Sequence, residues 1–208
     1  MTPTQRLLLA FTALAIPLSF IRAPYPSELV LQHAPTLVGI IALAVVMQRF
    51  GISRLSFGCV LAFLWLHIIG ARWIYSYVPY DELATWLTGS TLSEWFGWRR
   101  NHYDRLVHLA SGVLGAPIAS EVLQRMAGMK PRHAALMSVA VVLAVGAIYE
   151  IFEWQIAVLL APSYAEAYNG QQGDVWDPQK DLALAGMGAV VSALLVRRWE
   201  VAPGLRGA

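Results

Sequence analysis

Six long apolar stretches constrain this chain more than any other feature. They cover roughly 5–21, 29–48, 55–78, 103–124, 133–161 and 179–198, and about 20 apolar residues carry a helix across a bilayer's hydrocarbon core. The first is the shortest, and the fifth exceeds what one crossing needs. Hydrophobic residues make up 57% of the 208, and charged residues only 13%, against about 25% in soluble domains. The mean hydropathy of +0.53 agrees. The expected architecture is all-α: one membrane domain over 1–208, a polytopic bundle of about six transmembrane helices.

Short links rich in Pro, Gly or charge separate the spans, such as RAPYPSE (22–28) and RMAGMKPR (125–132). The longest link, 79–102, sets Leu83, Trp86, Leu87, Leu92, Trp95 and Phe96 among polar residues. That pattern predicts an amphipathic segment over about 81–98, lying in the interface with its Trp residues at headgroup level. The N-terminal apolar run lacks Ala-x-Ala spacing, and Arg22 and Pro24 stand where a cleavage site would want small residues. It is expected to remain as the first span. The single cysteine, Cys59, leaves no intramolecular disulfide and no Cys-based zinc site. A net charge of +2 gives no footing for nucleic acid. The partners expected instead are membrane lipids.

Lys and Arg concentrate in loops on the cytoplasmic side. One set of ends holds Arg6, Arg49, Arg54, Arg125, Lys130, Arg132, Arg197, Arg198 and Arg206; the other holds Arg22, Arg99, Arg100, Arg105 and Lys180. Nine against five predicts a multi-pass protein with both termini in the cytoplasm.

With that topology, nearly all intramembrane ionisable residues fall in the outer half: Arg72 on span three, Asp104 and His108 on span four, Glu150 and Glu153 on span five, and Asp181 on span six. Glu121, near the inner end of span four, is the main exception and pairs at i,i+4 with Arg125. Charges at such depth cost about 2.5–3.5 kcal/mol each on insertion scales, so they pair or line a wet cavity. Spacing aims them together. Asp104 and His108 are four apart, Glu150 and Glu153 three apart, and Asp177 and Asp181 four apart, each pair on one helical face. Gly112, Gly115, Gly146, Gly186 and Gly188, with neighbouring Ala and Ser, allow close helix approach.

Simpler roles account for some of these residues. Asp177-Pro178 reads as a helix start, with Asp as N-cap and Pro at the first helical position. Arg99 and Arg100 read as interfacial anchors, His67 as a core histidine, and His33 as capping a kinked helix end. The combination of Asp104, His108, Glu150, Glu153 and Asp181 resists such readings. Acids outnumber the bases expected nearby, Arg72 and Arg105, which leaves raised pKa values or a bound cation. The carboxylate and His set, with Asp174 on the rim, suits a divalent cation such as Mg²⁺, Mn²⁺, Zn²⁺ or Fe²⁺. The same groups also suit catalytic acid/base work on a lipid or lipid-linked envelope substrate, with Arg72, Arg105 or Lys180 on its headgroup phosphate. An ion-coupled transporter's relay and a purely structural network in an accessory protein stay open. There is no Gly-rich phosphate loop, no nucleophile elbow and no identifiable nucleophile. The residues name no reaction, and enzyme or non-enzyme is left undecided.

Three motifs, NHYDRLVHLASG (101–112), YEIFEW (149–154) and QGDVWDPQKDLALAGMGA (172–189), together resemble the YjdF family of small bacterial inner-membrane proteins. The resemblance spans nearly the whole chain. It implies a multi-helix inner-membrane protein and no particular activity. The family's recurrent positions fall here on Asn101 to Arg105, His108, Glu150, Glu153, Trp154, Gly173, Asp174, Trp176, Asp177 and Gln179 to Asp181. Leu109 and Pro178 depart from the pattern without touching its charged positions. A weaker similarity, carried by Asp104, Arg105 and His108 with acids in later helices, is to VanZ-like membrane proteins, which are linked to glycopeptide resistance.

Overall fold

A computed structural model describes residues 1–49, 51–160 and 165–201. Residue 161, the end of the fifth expected span, and Arg206 lie outside them. Among the described residues the chain is helical throughout, with no strand. Helix α1 (Pro3–Ser19) opens on a capping box, in which Thr2 Oγ1 accepts from the Gln5 backbone N–H and the Gln5 side chain accepts from that of Thr2. Then come α2 (Pro26–Arg49), α3 (Arg54–Arg72), the short α4 (Tyr80–Thr88) and α5 (Leu92–Phe96), α6 (Tyr103–Ala127), α7 (Pro131–Leu160), α8 (Ala165–Tyr168) and α9 (Asp177–Val196).

Five of these, α2, α3, α6, α7 and α9, are long and apolar enough to cross a membrane. Helix α1 has 17 residues, about 25 Å at 1.5 Å per residue. It falls short of a hydrocarbon core of about 30 Å. Large apolar side chains such as Leu7, Phe11, Leu136, Leu159 and Leu195 stand exposed around the outside, as expected where the solvent is lipid. The fold is a polytopic helical membrane bundle.

The bundle has two packed parts. Helices α6, α7 and α9 pack on one another, α3 packs on α6, and α1 and α2 close over α3. The α1–α3 part is a conventional apolar core of Leu9, Ile16, Ile40, Leu43, Phe57, Leu64 and Ile68. The α6–α9 contact is different. A side chain at Gly112 would overlap the Ala185 carbonyl, and one at Gly188 would overlap that of Leu109. The two backbones therefore touch directly, with Ala116, Ala185 and Ala189 filling the remaining space. Small residues permit this approach.

Two segments differ from expectation in instructive ways. Span three ends six residues early, at Arg72. The chain then turns through Ile74 and Tyr75, both at positive φ (43° and 58°), a conformation rare for a β-branched residue. The turn lays the Tyr75 ring against Gly70, where a Cβ would come within 2.8 Å of it, and buries Ile74 completely. Burial of these two side chains offsets the backbone strain. The 81–98 segment is amphipathic as expected, but it is two helices, each ended by a left-handed glycine, Gly89 and Gly97. The Asp81 carboxylate joins them by accepting from the Ser93 N–H (3.1 Å) and hydroxyl (2.5 Å). Leu83, Trp86, Leu87, Trp95 and Phe96 remain exposed.

Candidate functional site: a carboxylate and histidine cluster

The N-terminal ends of α6 and α9, the C-terminal half of α7 and the loop Asn169–Trp176 meet at one end of the bundle. Helix α6 begins after Asn101, whose side chain donates to the Val78 carbonyl (2.8 Å). The Asn101 backbone N–H and carbonyl pair with the Gln172 side-chain amide at 2.9 and 3.1 Å. This fixes the loop against the start of α6. Gly170, at φ 70°, lets the loop lie on the Asp104 carboxylate, and a Cβ there would come within 2.5 Å of Asp104 Oδ2. A residue with a side chain would displace either the loop or the acid.

Two arginines tie the loop to α9. Arg100 donates to the Gly170 carbonyl (2.5 Å), the Gln171 carbonyl (2.9 Å) and Asp177 Oδ1 (2.7 Å). Arg105 donates to Asp181 Oδ1 (2.7 Å), Asp177 Oδ1 (2.5 Å) and Asp174 Oδ2 (3.1 Å). One guanidinium thus holds three carboxylates, which its planar fork of donors allows. Asp174, in the loop outside the spans, also takes Lys180 Nζ at 2.6 Å. The Lys180 hydrogen bond is the main reason its carboxyl is held below the ordinary aspartate range.

Behind this ion-paired rim lies a deeper group. His108 Nε2 stands 3.5 Å from both Asp104 Oδ1 and Glu150 Oε1. Asp104, His108 and Asp181 each present one ligand atom, and these lie within 4.8 Å of one another. Asp104 and Asp181 are buried and His108 nearly so. Glu150 Oε1 and Asp177 Oδ2 are buried without a hydrogen-bond partner in the protein. Glu153, one turn beyond Glu150, is buried in the field of Asp104 and Glu150. Six carboxylates (Asp104, Glu150, Glu153, Asp174, Asp177, Asp181) therefore share three permanent cations (Arg100, Arg105, Lys180) and one histidine.

Comparison with known proteins places the chain in a family. A family model described as a predicted membrane protein, DUF2238, matches residues 4–202. The chain is a member of the DUF2238 family. It is also 28% identical over 171 residues to the inner membrane protein YjdF of Escherichia coli (strain K12), a match covering 82% of this chain and 78% of that protein. No solved structure matches. The YjdF resemblance drawn from the three motifs is borne out; the VanZ-like similarity rests on its motif alone.

In this DUF2238 chain the three motifs converge on the cluster. Asp104, Arg105, His108, Glu150, Asp174, Lys180 and Asp181 come together as expected, with Glu153 beside them. Arg72 does not join them. Its guanidinium donates to the carbonyls of Ser19, Ile21 (2.9 Å) and Arg22 (3.4 Å), closing the C-terminal end of α1, and it lies over the Trp73 ring. Arg100, expected as a surface anchor, takes its place among the acids. Asp177 is not an N-cap. Trp176 holds that position without a side-chain hydrogen bond, while Asp177 is 1% exposed and paired with both arginines. One sequence signal pointed to this: the basic residues Arg100 and Arg105 flank the motif start, and the loop holding Asp174 and Asp177 is their acidic complement.

The remaining polar residues serve structure. His67 bridges the Tyr75 hydroxyl and the Gln32 carbonyl (3.0 Å to the latter). His33 meets the Ser19 hydroxyl at 2.7 Å, close to the end of α1. At the opposite end of the bundle, Glu121 pairs with Arg125 (2.7 Å) as its spacing implied. It also accepts from the Ser53 N–H and the Ser53 and Ser56 hydroxyls, which anchors the start of α3 to α6.

Proposed function

We propose that Asp104, His108 and Asp181, with Glu150 beside them, hold a divalent cation at the outward-facing end of the bundle. There the cation would serve chemistry on a lipid or lipid-linked envelope substrate. The observation that carries this reading is the convergence of three ligand atoms from two helices within 4.8 Å. A buried Glu150 oxygen without a hydrogen-bond partner stands on the third helix. Mixed carboxylate and imidazole donors suit Mn²⁺, Fe²⁺ or Zn²⁺, and fit Mg²⁺ less well. A cation would also offset the excess of acids in a low-dielectric site, where unpaired charge is expensive.

The ion-paired rim has a supporting role. Arg105 orients Asp181 from behind, the kind of outer contact that fixes a ligand's direction. Asp174 is engaged by Lys180 and Arg105 and so acts as a clamp on the loop, not as a ligand. Lys180, with a side chain 55% exposed, is the most open cation of the rim and would reach a substrate phosphate by exchanging its Asp174 contact for it. When bound, a divalent ion supplies Lewis-acid polarisation of a phosphoryl oxygen or activation of a water.

A transmembrane relay fits the geometry less well. Such a path would run between the cluster and Glu121, past the level where α6 and α9 touch backbone to backbone at Gly112 and Gly188. Glu121 is itself engaged by Ser53, Ser56 and Arg125.

Elemental analysis of the purified full chain tests the reading. Wild type is expected to carry close to one equivalent of a transition metal, with most of it lost in Asp104→Asn and reduced in Glu150→Gln. Absence of metal from wild type and both variants, with unchanged lipid content and thermal stability, would overturn it.

A further inference from the structure

Far from the cluster, at the other end of the bundle, α7 and α9 line a groove of about 580 Å³. Its floor is small, with Ala135 and Ala193 buried, and its walls are the exposed Leu136, Val190 and Leu194 and the half-buried Val139. Spacing explains the groove: these positions recur at three and four residues on each helix and form one face of each. Three arginines close its end: Arg132 from the first turn of α7, and Arg197 and Arg198 from the end of α9.

Contacts within the chain do not account for these arginines. Among the described residues none of the three forms an ion pair or a side-chain hydrogen bond. Arg132 sits in the first turn of a helix, where the dipole disfavours a cation. All three are exposed, so their charge is available to something outside the chain. An apolar channel of acyl-chain character, ending in three unpaired guanidiniums at the level of a headgroup, is complementary to one kind of molecule in a membrane.

We propose that this groove binds one anionic phospholipid, with an acyl chain along Leu136, Val139, Val190 and Leu194 and the headgroup phosphate on Arg132, Arg197 and Arg198. Basic pockets between membrane helices select anionic headgroups in this way, and guanidinium forks suit phosphate oxygens. The site is independent of the carboxylate cluster. It is a place where the surrounding lipid stabilises the α7–α9 pair, and Ala135 and Ala193 pack with Val196 and the partly buried Trp199 immediately beneath it.

The test uses the full chain, delipidated by detergent exchange. It is titrated with phosphatidylglycerol and, separately, with phosphatidylcholine of the same acyl chains, and bound lipid is counted by native mass spectrometry. The expected result is one phosphatidylglycerol held in preference to phosphatidylcholine. Replacing all three arginines by Gln should weaken that preference on the order of a hundredfold, at about fivefold per charge. The single variant Arg197→Gln should show about the fivefold step and keeps the experiment readable should the triple variant fail to fold. Replacing all three by Lys should retain most of the preference. Equal retention of both lipids by wild type, or undiminished phosphatidylglycerol binding in the Gln variants, would overturn the proposal. So would a lipid-free dimer that dissociates on Leu194→Asn, because it would give the groove to a second copy of the chain.

Discussion

Arg105 does more for the cluster than any other single side chain. Its side chain is 10% exposed, and the acids it holds at Asp177 and Asp181 are almost fully buried. Removing one partner from buried ion pairs leaves uncompensated charge and costs roughly 3–5 kcal/mol. Arg105→Gln is therefore expected to lower the thermal midpoint in detergent sharply. Arg105→Lys should recover only part of it, because an ammonium cannot span three carboxylates as a fork does. A Lys variant as stable as wild type would show that charge alone suffices. Asp174 makes a subtler contribution. Its carboxyl titrates below the usual value of 3.8 because of Lys180, so the unfolded chain binds its proton more readily than the folded one. Its stabilisation is fully present above the unfolded value and is lost as pH falls through the lower folded value. The stability gap between wild type and Asp174→Asn should be constant from neutral pH down to about pH 5 and begin to narrow below pH 4. A gap that widened, or did not change, on further acidification would contradict the assignment.

Helix packing separates glycines that look alike in sequence. Gly112 and Gly188 lie at the α6–α9 crossing, while Gly58 on α3 faces open space, with nothing within 4 Å of where a Cβ would stand. Gly112→Val should abolish folded protein on size exclusion. Gly58→Ala should be neutral or stabilising by about 0.5–1 kcal/mol, the ordinary gain for Gly to Ala in a helix. Equal effects at the two sites would refute the backbone contact. The apolar runs made every long helix legible, and i,i+4 spacing made the pairs Asp104–His108 and Glu121–Arg125 legible with them. What stayed hidden depends on partners distant in sequence. Nothing local says that span three stops at Arg72. That follows from Tyr75 folding back on Gly70 and from the arginine closing α1. Likewise Asp177 has the local signature of a helix cap, and only Arg100 and Arg105, more than 70 residues earlier, give it another use. Arg72 and Arg100 exchanged roles for the same reason: charge balance showed that bases were needed, but not which ones the fold would supply.

Taken as a bundle, the molecule sorts its polar groups by end. One end holds the carboxylate and histidine cluster, and the other holds Glu121 with Arg125 and the groove arginines. The excess of Arg and Lys at the latter end predicts that it faces the cytoplasm. A reporter fused after the C-terminus should then be active only in its cytoplasmic form. A periplasmic signal would invert the bundle and place the cluster on the inner face.

The loop and the arginines that hold it also bear on how the protein is made. Arg100 and Arg105 are synthesised about 70 residues before Asp174, Asp177 and Asp181, their carboxylate partners. At about 5–20 residues per second, that is a delay of roughly 4–14 seconds. During this interval Arg105 on α6 and Arg100 just before it lack the carboxylates that hold them in the folded protein, and α6 cannot yet make its backbone contact with α9. The ion-paired rim and the α6–α9 contact therefore form only after the last helix has been made.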